Sequence, residues 1–230
     1  MFKKYFFGAL LVATTSLNAN NLYDKYKPSN EFLQFFKNCN QVLDNYYYLN
    51  CYNYKLKSSI ALAYKLDEKY LKTHIKKRPK FESDYRIPKR YRTNWSDYLH
   101  SGYDRGHILS NQSMNATTNA QRSTFLMSNV VPQLPEINRK LMLKLERYER
   151  LLANNLKSIE ILSLIFFDGK KYIKNGIAVP NEFFRMFKGN NFKKCFVIPN
   201  KDIDTNTPLK HFEVNCNLYI KKFLGVNYEK

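Results

Sequence analysis

A chain of 230 residues is long enough for one domain, or for one domain with an appendage. Its apolar fraction of 44% and aromatic fraction of 16%, with 18 Tyr and 17 Phe, supply core material and exclude global disorder. The formal net charge of +19 favours polyanionic partners (nucleic acid, acidic glycans, lipid head groups), unless it serves solubility alone.

The first residues read as a targeting segment. Lys3 and Lys4 precede the apolar run FFGALLVA at 6–13, which is too short to span a bilayer comfortably. Small and polar residues follow, and Ala19 is the expected last residue before cleavage. The expectation is a signal peptide at 1–19, a single domain at 20–230 and a periplasmic or secreted protein with no stable membrane insertion after cleavage. An uncleaved anchor is the alternative.

Cys39, Cys51, Cys195 and Cys216 are an even set, which in an oxidising compartment implies disulfides. Three pairings are possible, and local proximity favours Cys39–Cys51 and Cys195–Cys216. With no C-x-x-C and no nearby His pair, the spacing argues against structural zinc.

Phe32, Leu33, Phe35 and Phe36 fit a short helix, and Tyr46 to Tyr54 is β-prone. Ser59 to Leu66 (SIALAYKL) is an apolar run of strand length. Residues 72–94 carry Lys72, Lys76, Lys77, Arg78, Lys80, Arg86, Lys89, Arg90 and Arg92, and Pro79 and Pro88 make them a loop. Such a loop could hold phosphates or could be a solvated charge run. Ile108 and Leu109 continue a strand that begins near Asp104, and 110–124 reads as polar loop.

From Ile137 to Leu156 there is no Gly or Pro, and Ile137, Leu141, Leu145, Tyr148 and Leu152 recur at spacings of three and four. That predicts an amphipathic helix starting near Pro135. Ile159 to Phe167, Cys195 to Ile198 and Phe212 to Cys216 read as strands, with a short helix around Tyr219 to Leu224. The order of elements points to α+β around a central sheet.

The chemistry gathers between Tyr103 and Arg150. In an extended strand Arg105 and His107 face the same way, so one strand can present a phosphate clamp and a base together. Asn138 and Glu146, eight residues apart on a helix, differ by roughly 80° about its axis and about 12 Å along it. They can line one wall without both touching the same ion. A hard cation that keeps most of its waters needs no more than an amide oxygen and an outer carboxylate. Taken singly each residue has a bland reading: Asp104 and Arg105 an ordinary salt bridge, Asn138 a helix-start residue, Glu146 a partner for Arg150.

Together they resemble the DNA/RNA non-specific endonucleases of the ββα-metal fold, the Serratia-type secreted nucleases. The resemblance rests on Asp104-Arg105-Gly106-His107, on the block from Thr124 to Gln133 (TFLMSNVVPQ), on Asn138, and on Leu145-Glu146. Weaker likeness at 61–66, Arg78, 177–180 and 183–184 extends it over roughly residues 55–200. The chain departs from the pattern at Ile108-Leu109-Ser110-Asn111 and at Leu141-Met142, where an aromatic is usual.

The resemblance implies a central antiparallel sheet with a ββα-metal motif and flanking helices. It implies His107 as general base, Asn138 as the direct protein ligand of Mg²⁺ (or Mn²⁺), and Glu146 acting on the metal through a water. Arg105 and Arg78 would stabilise phosphate charge, with Arg86, Arg90 and Arg92 as rivals to Arg78. Asn129 would support the site by hydrogen bonding. DNA and RNA would both be substrates, cut to 5′-phosphate products. The alternative is a non-catalytic DNA-binding or uptake protein on the same fold. Oligomeric state stays open.

Overall fold

The computed structural model describes residues 22–225, and the expected signal peptide lies outside them. In chain order the elements are helix α1 (Asn30–Leu33), strands β1 (Gln41–Asp44), β2 (Tyr48–Asn53), β3 (Ser58–Asp67) and β4 (Asp104–His107), helix α2 (Thr118–Thr124) and strand β5 (Val130–Gln133). A π-helical turn (Ile137–Met142) runs directly into helix α3 (Leu143–Leu156). Strands β6 (Ser158–Phe166), β7 (Tyr172–Ile173), β8 (Ile177–Ala178), β9 (Glu182–Gly189), β10 (Phe192–Pro199) and β11 (Glu213–Val214) follow, and helix α4 (Cys216–Gly225) comes last.

Seven strands form one sheet in the order β1-β2-β3-β6-β9-β10-β11, every neighbouring pair antiparallel. Its central strands are apolar on both faces, which is why they read as continuous apolar runs without alternation. On one face Leu62, Tyr64, Ile161 and Phe187 pack with Leu141 and Leu145 of the helical segment. On the other, Ala61, Ala63, Leu162, Leu164 and Met186 pack with Phe32 and Phe35 near α1 and with Phe223 of α4. Disulfides Cys39–Cys51 and Cys195–Cys216 tie the segment before β1 to β2 and β10 to the start of α4, which is the locally favoured pairing.

β4 and β5 form a separate two-stranded ribbon, and the helical segment completes a β-β-α unit against the main sheet. α3 is fastened to that sheet by a buried polar cluster. Glu149, fully buried, accepts from Arg185 Nη1 of β9 (2.9 Å), Tyr64 OH of β3 (2.8 Å) and Ser113 Oγ (2.5 Å). Arg185 Nη2 donates onward to the carbonyl of Ile108, one residue beyond His107.

Three sequence expectations are corrected. Ile108 and Leu109 do not extend β4: their N–H groups donate to the backbone and side-chain oxygens of Asn129, each at 2.9 Å. Part of the polar stretch 110–124 is helical, because Thr117 caps α2 by accepting from Ala120 N–H, a signal independent of apolar periodicity. The helix expected from Ile137 begins as a π turn and becomes α only at Leu143. Among the described residues no helix is long and apolar enough to cross a membrane.

Candidate active site

Arg105 and His107 share one face of β4, as strand alternation requires. Gly106 between them lies against the Gln133 side chain: a Cβ there would sit 2.1 Å from Gln133 Cδ. No residue larger than glycine fits without moving β5 or that glutamine.

The His107 ring is boxed between Phe81 (centroids 5.2 Å apart) and Phe125 (5.0 Å, edge-on). Each phenyl ring also has a guanidinium over it, Arg105 at 5.3 Å from Phe81 and Arg78 at 5.3 Å from Phe125. His107 Nε2 and Arg105 Nε are buried and have no hydrogen-bond partner in the protein. Burial, and then the nearby Arg78 charge, push His107 from its ordinary 6.5 down to about 3. The imidazole is therefore neutral around pH 7 and able to take a proton.

Asn138 sits in the π turn, where an i→i+5 pattern advances fewer than 100° per residue. That shrinks the angular offset from Glu146 expected for a plain α-helix. Both line a cavity of about 400 Å³ with Arg78, Arg105 and His107. Asn138 Nδ2 donates to Asp104 Oδ2 (2.9 Å), which leaves the amide oxygen as the group available for a ligand. Asp104 is itself clamped by Arg139 through Nε (2.9 Å) and Nη2 (2.8 Å). Burial raises the Asp104 carboxyl, and the bonds from Arg139 and Asn138 outweigh it and hold it below the ordinary value. Burial, and then the neighbouring Glu149, push Glu146 up to about 7.

Among the described residues no three His, Cys, Asp or Glu side chains come together as a metal-binding group. Asn138 offers a pinned amide oxygen and Glu146 a carboxylate, while the second carboxylate of the cavity, Asp104, is engaged by Arg139. That set fits a hard cation that keeps most of its waters, as Mg²⁺ does, and does not fit zinc.

Of the sequence candidates, Arg78, Arg105, His107, Asn138 and Glu146 meet in this cavity. Asn129 stands behind it, fully buried. Its amide accepts from Leu109 N–H and donates to the carbonyls of Leu109 (2.9 Å) and Thr124 (2.8 Å), so it fixes the chain just past His107. The rivals to Arg78 are engaged elsewhere. Arg86 grips Asp84 and the carbonyl of Asp44, Arg92 donates to the carbonyls of Ile87 and Tyr85, and Arg90 lies 4.6 Å over the Tyr91 ring.

Sequence reasoning missed Asp104 as the orienter of Asn138, offering for it only the bland reading of a salt bridge with Arg105. The true partner, Arg139, is 35 residues away, and no local pattern announces it. Phe81 was also missed, although a lone aromatic inside a basic run was visible in KRPKFE.

The model of a family described as DNA/RNA non-specific endonuclease matches residues 32–230. Bovine mitochondrial endonuclease G is 32% identical over 151 residues, covering 58% of this chain and 50% of its own length. Human mitochondrial endonuclease G is 29% identical over 185 residues, covering 73% of this chain and 62% of its own. The chain thus spans about half to two thirds of the length of these relatives. A crystal structure of an EndoG/EndoGI complex superposes with a TM-score of 0.74 at 23% identity, covering 87% of this chain and 91% of the other, which supports the same fold.

The mitochondrial relatives correct the expected location: kinship with nucleases named as mitochondrial does not fit a periplasmic or secreted protein. A basic, acid-free start with one apolar run does not by itself separate one targeting route from another.

Proposed function

The chain belongs to the DNA/RNA non-specific endonuclease family, and from that premise we propose that it is a Mg²⁺-dependent endonuclease hydrolysing DNA and RNA phosphodiesters to 5′-phosphate products, with His107 as general base. Residues 20–230 act in this reading as one nuclease domain. The observation that carries it is the orphaned Nε2 of a neutral His107, buried in the cavity that Asn138, Glu146 and the two guanidinium groups also line.

Hydrolysis needs a proton acceptor for the attacking water and positive charge for the phosphoryl oxygens. His107 Nε2 takes the proton. Arg105 and Arg78, held against Phe81 and Phe125, meet the charge that builds on the phosphate. The Asn138 amide oxygen, left free by the bond from Asn138 Nδ2 to Asp104, would hold the cation, and Glu146 would act on it through a water. A bound Mg²⁺ supplies Lewis-acid stabilisation of the leaving oxygen. Mn²⁺, another hard cation, is expected to substitute.

The test is a plasmid-nicking assay on the purified protein with Mg²⁺ or with EDTA, beside His107→Ala. Cleavage by the wild type that disappears on chelation, and falls at least roughly 100-fold in the variant, is expected for loss of a general base. Plasmid binding with no cleavage across Mg²⁺, Mn²⁺ and Ca²⁺ would replace this reading with that of a non-catalytic DNA-binding protein.

A further inference from the structure

The cleft does not stop at the reacting groups. Phe81 and Arg105 also line a second cavity of about 480 Å³, whose remaining walls are Lys80 and Trp95. The two concavities share these side chains and form one continuous surface. Trp95 is the only tryptophan of the chain and is 50% exposed.

The indole is mounted on a firm base. Trp95–Tyr98 is a single 3₁₀ turn. The carboxylate of Asp97, a buried residue, accepts from Asn94 N–H (2.8 Å) and from Asn175 Nδ2 (3.2 Å). Tyr98 is buried beneath the turn. A large aromatic left half in solvent on an anchored turn gains nothing for the core, and it pre-organises a flat apolar face for a ligand.

The cavity's chemistry narrows the ligand. Its walls are two aromatic rings and two cations, with no acid among them. A nucleobase offers a π face to the indole, and its own phosphate offers negative charge to Lys80 and Arg105. Bases inside a duplex are stacked on each other and cannot lie on an indole, whereas those of a single strand can.

We propose that Trp95 is a stacking platform for an unpaired base beside the scissile phosphate, so that single-stranded nucleic acid gains affinity that a duplex does not. The inference rests on the nuclease reading for the position of the scissile phosphate. It adds a subsite and a substrate preference to that reading.

The sole tryptophan is its own probe. Wild-type protein in EDTA, where cleavage is off, is titrated with a 12-residue oligothymidylate and with a blunt hairpin duplex, and binding is followed in parallel by anisotropy of a dye on the nucleic acid. Saturable quenching of tryptophan emission by the single strand, and much less by the duplex, is expected. With Mg²⁺, Trp95→Ala is expected to lower the ratio of single-strand to duplex kcat/KM by roughly 5- to 100-fold, mainly through KM, and Trp95→Phe to restore most of it. Circular dichroism checks that both variants fold.

Binding of the oligonucleotide without any change in tryptophan emission, or an unchanged ratio in Trp95→Ala, would overturn the platform. A wild type that cleaves duplex DNA in that same outcome leaves the nuclease reading standing. Quenching by the single strand in a protein that never cleaves supports the platform and sinks the nuclease reading instead.

Discussion

The positive charge that helps keep His107 neutral is the charge a phosphodiester would meet. Burial is the larger cause of the low His107 value, and the Arg78 guanidinium adds to it. An imidazole near 3 is reliably unprotonated at pH 7 but a weak proton acceptor, since a base works best with a value near the operating pH. In the proposed mechanism a phosphate drawn in by Arg78 would offset that charge and move His107 upward as the base is needed. The sign is definite: a lowered value means the ring charges only at acid pH, so in the metal-free protein its carbon resonances should not titrate between pH 8 and pH 5. Arg78→Gln should raise the His107 value part of the way toward 6.5, because burial remains, and should reduce kcat/KM by roughly 10- to 1000-fold through lost charge stabilisation. Histidine-ring NMR on both proteins checks this. Titration of wild-type His107 near 6.5 would mean that the ring is not enclosed in solution.

At the scale of elements, α3 and β9 depend on one buried ion pair. Arg185 and Glu149 are 2% and 0% exposed in their side chains and lie 2.9 Å apart. Removing one partner strands the other charge, so Arg185→Met should cost about 3–5 kcal/mol. That corresponds to a Tm lower by roughly 10 °C for a chain of this size. Glu149→Gln on top of it should recover part of the loss, since a neutral amide is easier to bury. Calorimetry of the three proteins decides it, and a loss under about 1 kcal/mol for Arg185→Met would mean that the pair is solvated or replaceable. Because Arg185 also holds the Ile108 carbonyl, the same variant should slow catalysis by loosening the chain next to His107.

The network also shows where sequence reading reaches its limit. The central strands were legible because burial on both faces writes uninterrupted apolar runs, and the helix carrying Glu146 was legible from its three-and-four spacing. Arg185, set among phenylalanines in FFRMF, is a strand residue by every local rule, and its purpose becomes visible only when Glu149 is brought to it from 36 residues away. The π turn was illegible for a related reason. Ile137 and Leu141 keep helical spacing through it, and only tertiary packing selects the wider turn. Arg78 could not be separated from Arg86, Arg90 and Arg92 by sequence, because all four sit in one basic run. Their partners, chiefly Asp84 and main-chain carbonyls for the rivals and the His107 box for Arg78, tell them apart.

Across the molecule, three concavities adjoin one another through shared lining residues. The cavity around His107 shares Arg78, Asn111 and Gln112 with a neighbouring cavity of about 540 Å³ that adds His74, Lys76 and Arg150. On its other side it shares Phe81 and Arg105 with the Trp95 cavity. The basic loop is held against this trough at its start, where Ile75 N–H donates to the Asn115 carbonyl (2.9 Å) and Gln121 Nε2 to the Ile75 carbonyl (3.0 Å). A net charge of +19 suits binding through backbone phosphates, which carry no sequence information. Such binding releases counterions, so log kcat/KM at subsaturating DNA should fall linearly with log salt, by about 0.9 per phosphate neutralised on a duplex. Lys76 is exposed and lines the neighbouring cavity, outside the one that holds His107, so it can serve one phosphate as a point charge. Lys76→Gln should therefore weaken binding evenly across DNA sequences and reduce the salt slope by about one, with kcat at saturation little changed. Rates measured from 50 to 200 mM NaCl on two duplexes of different sequence test this. A slope equal to that of the wild type would take the phosphate track away from the His74–Arg150 side and leave the Trp95 side as the direction in which the strand runs.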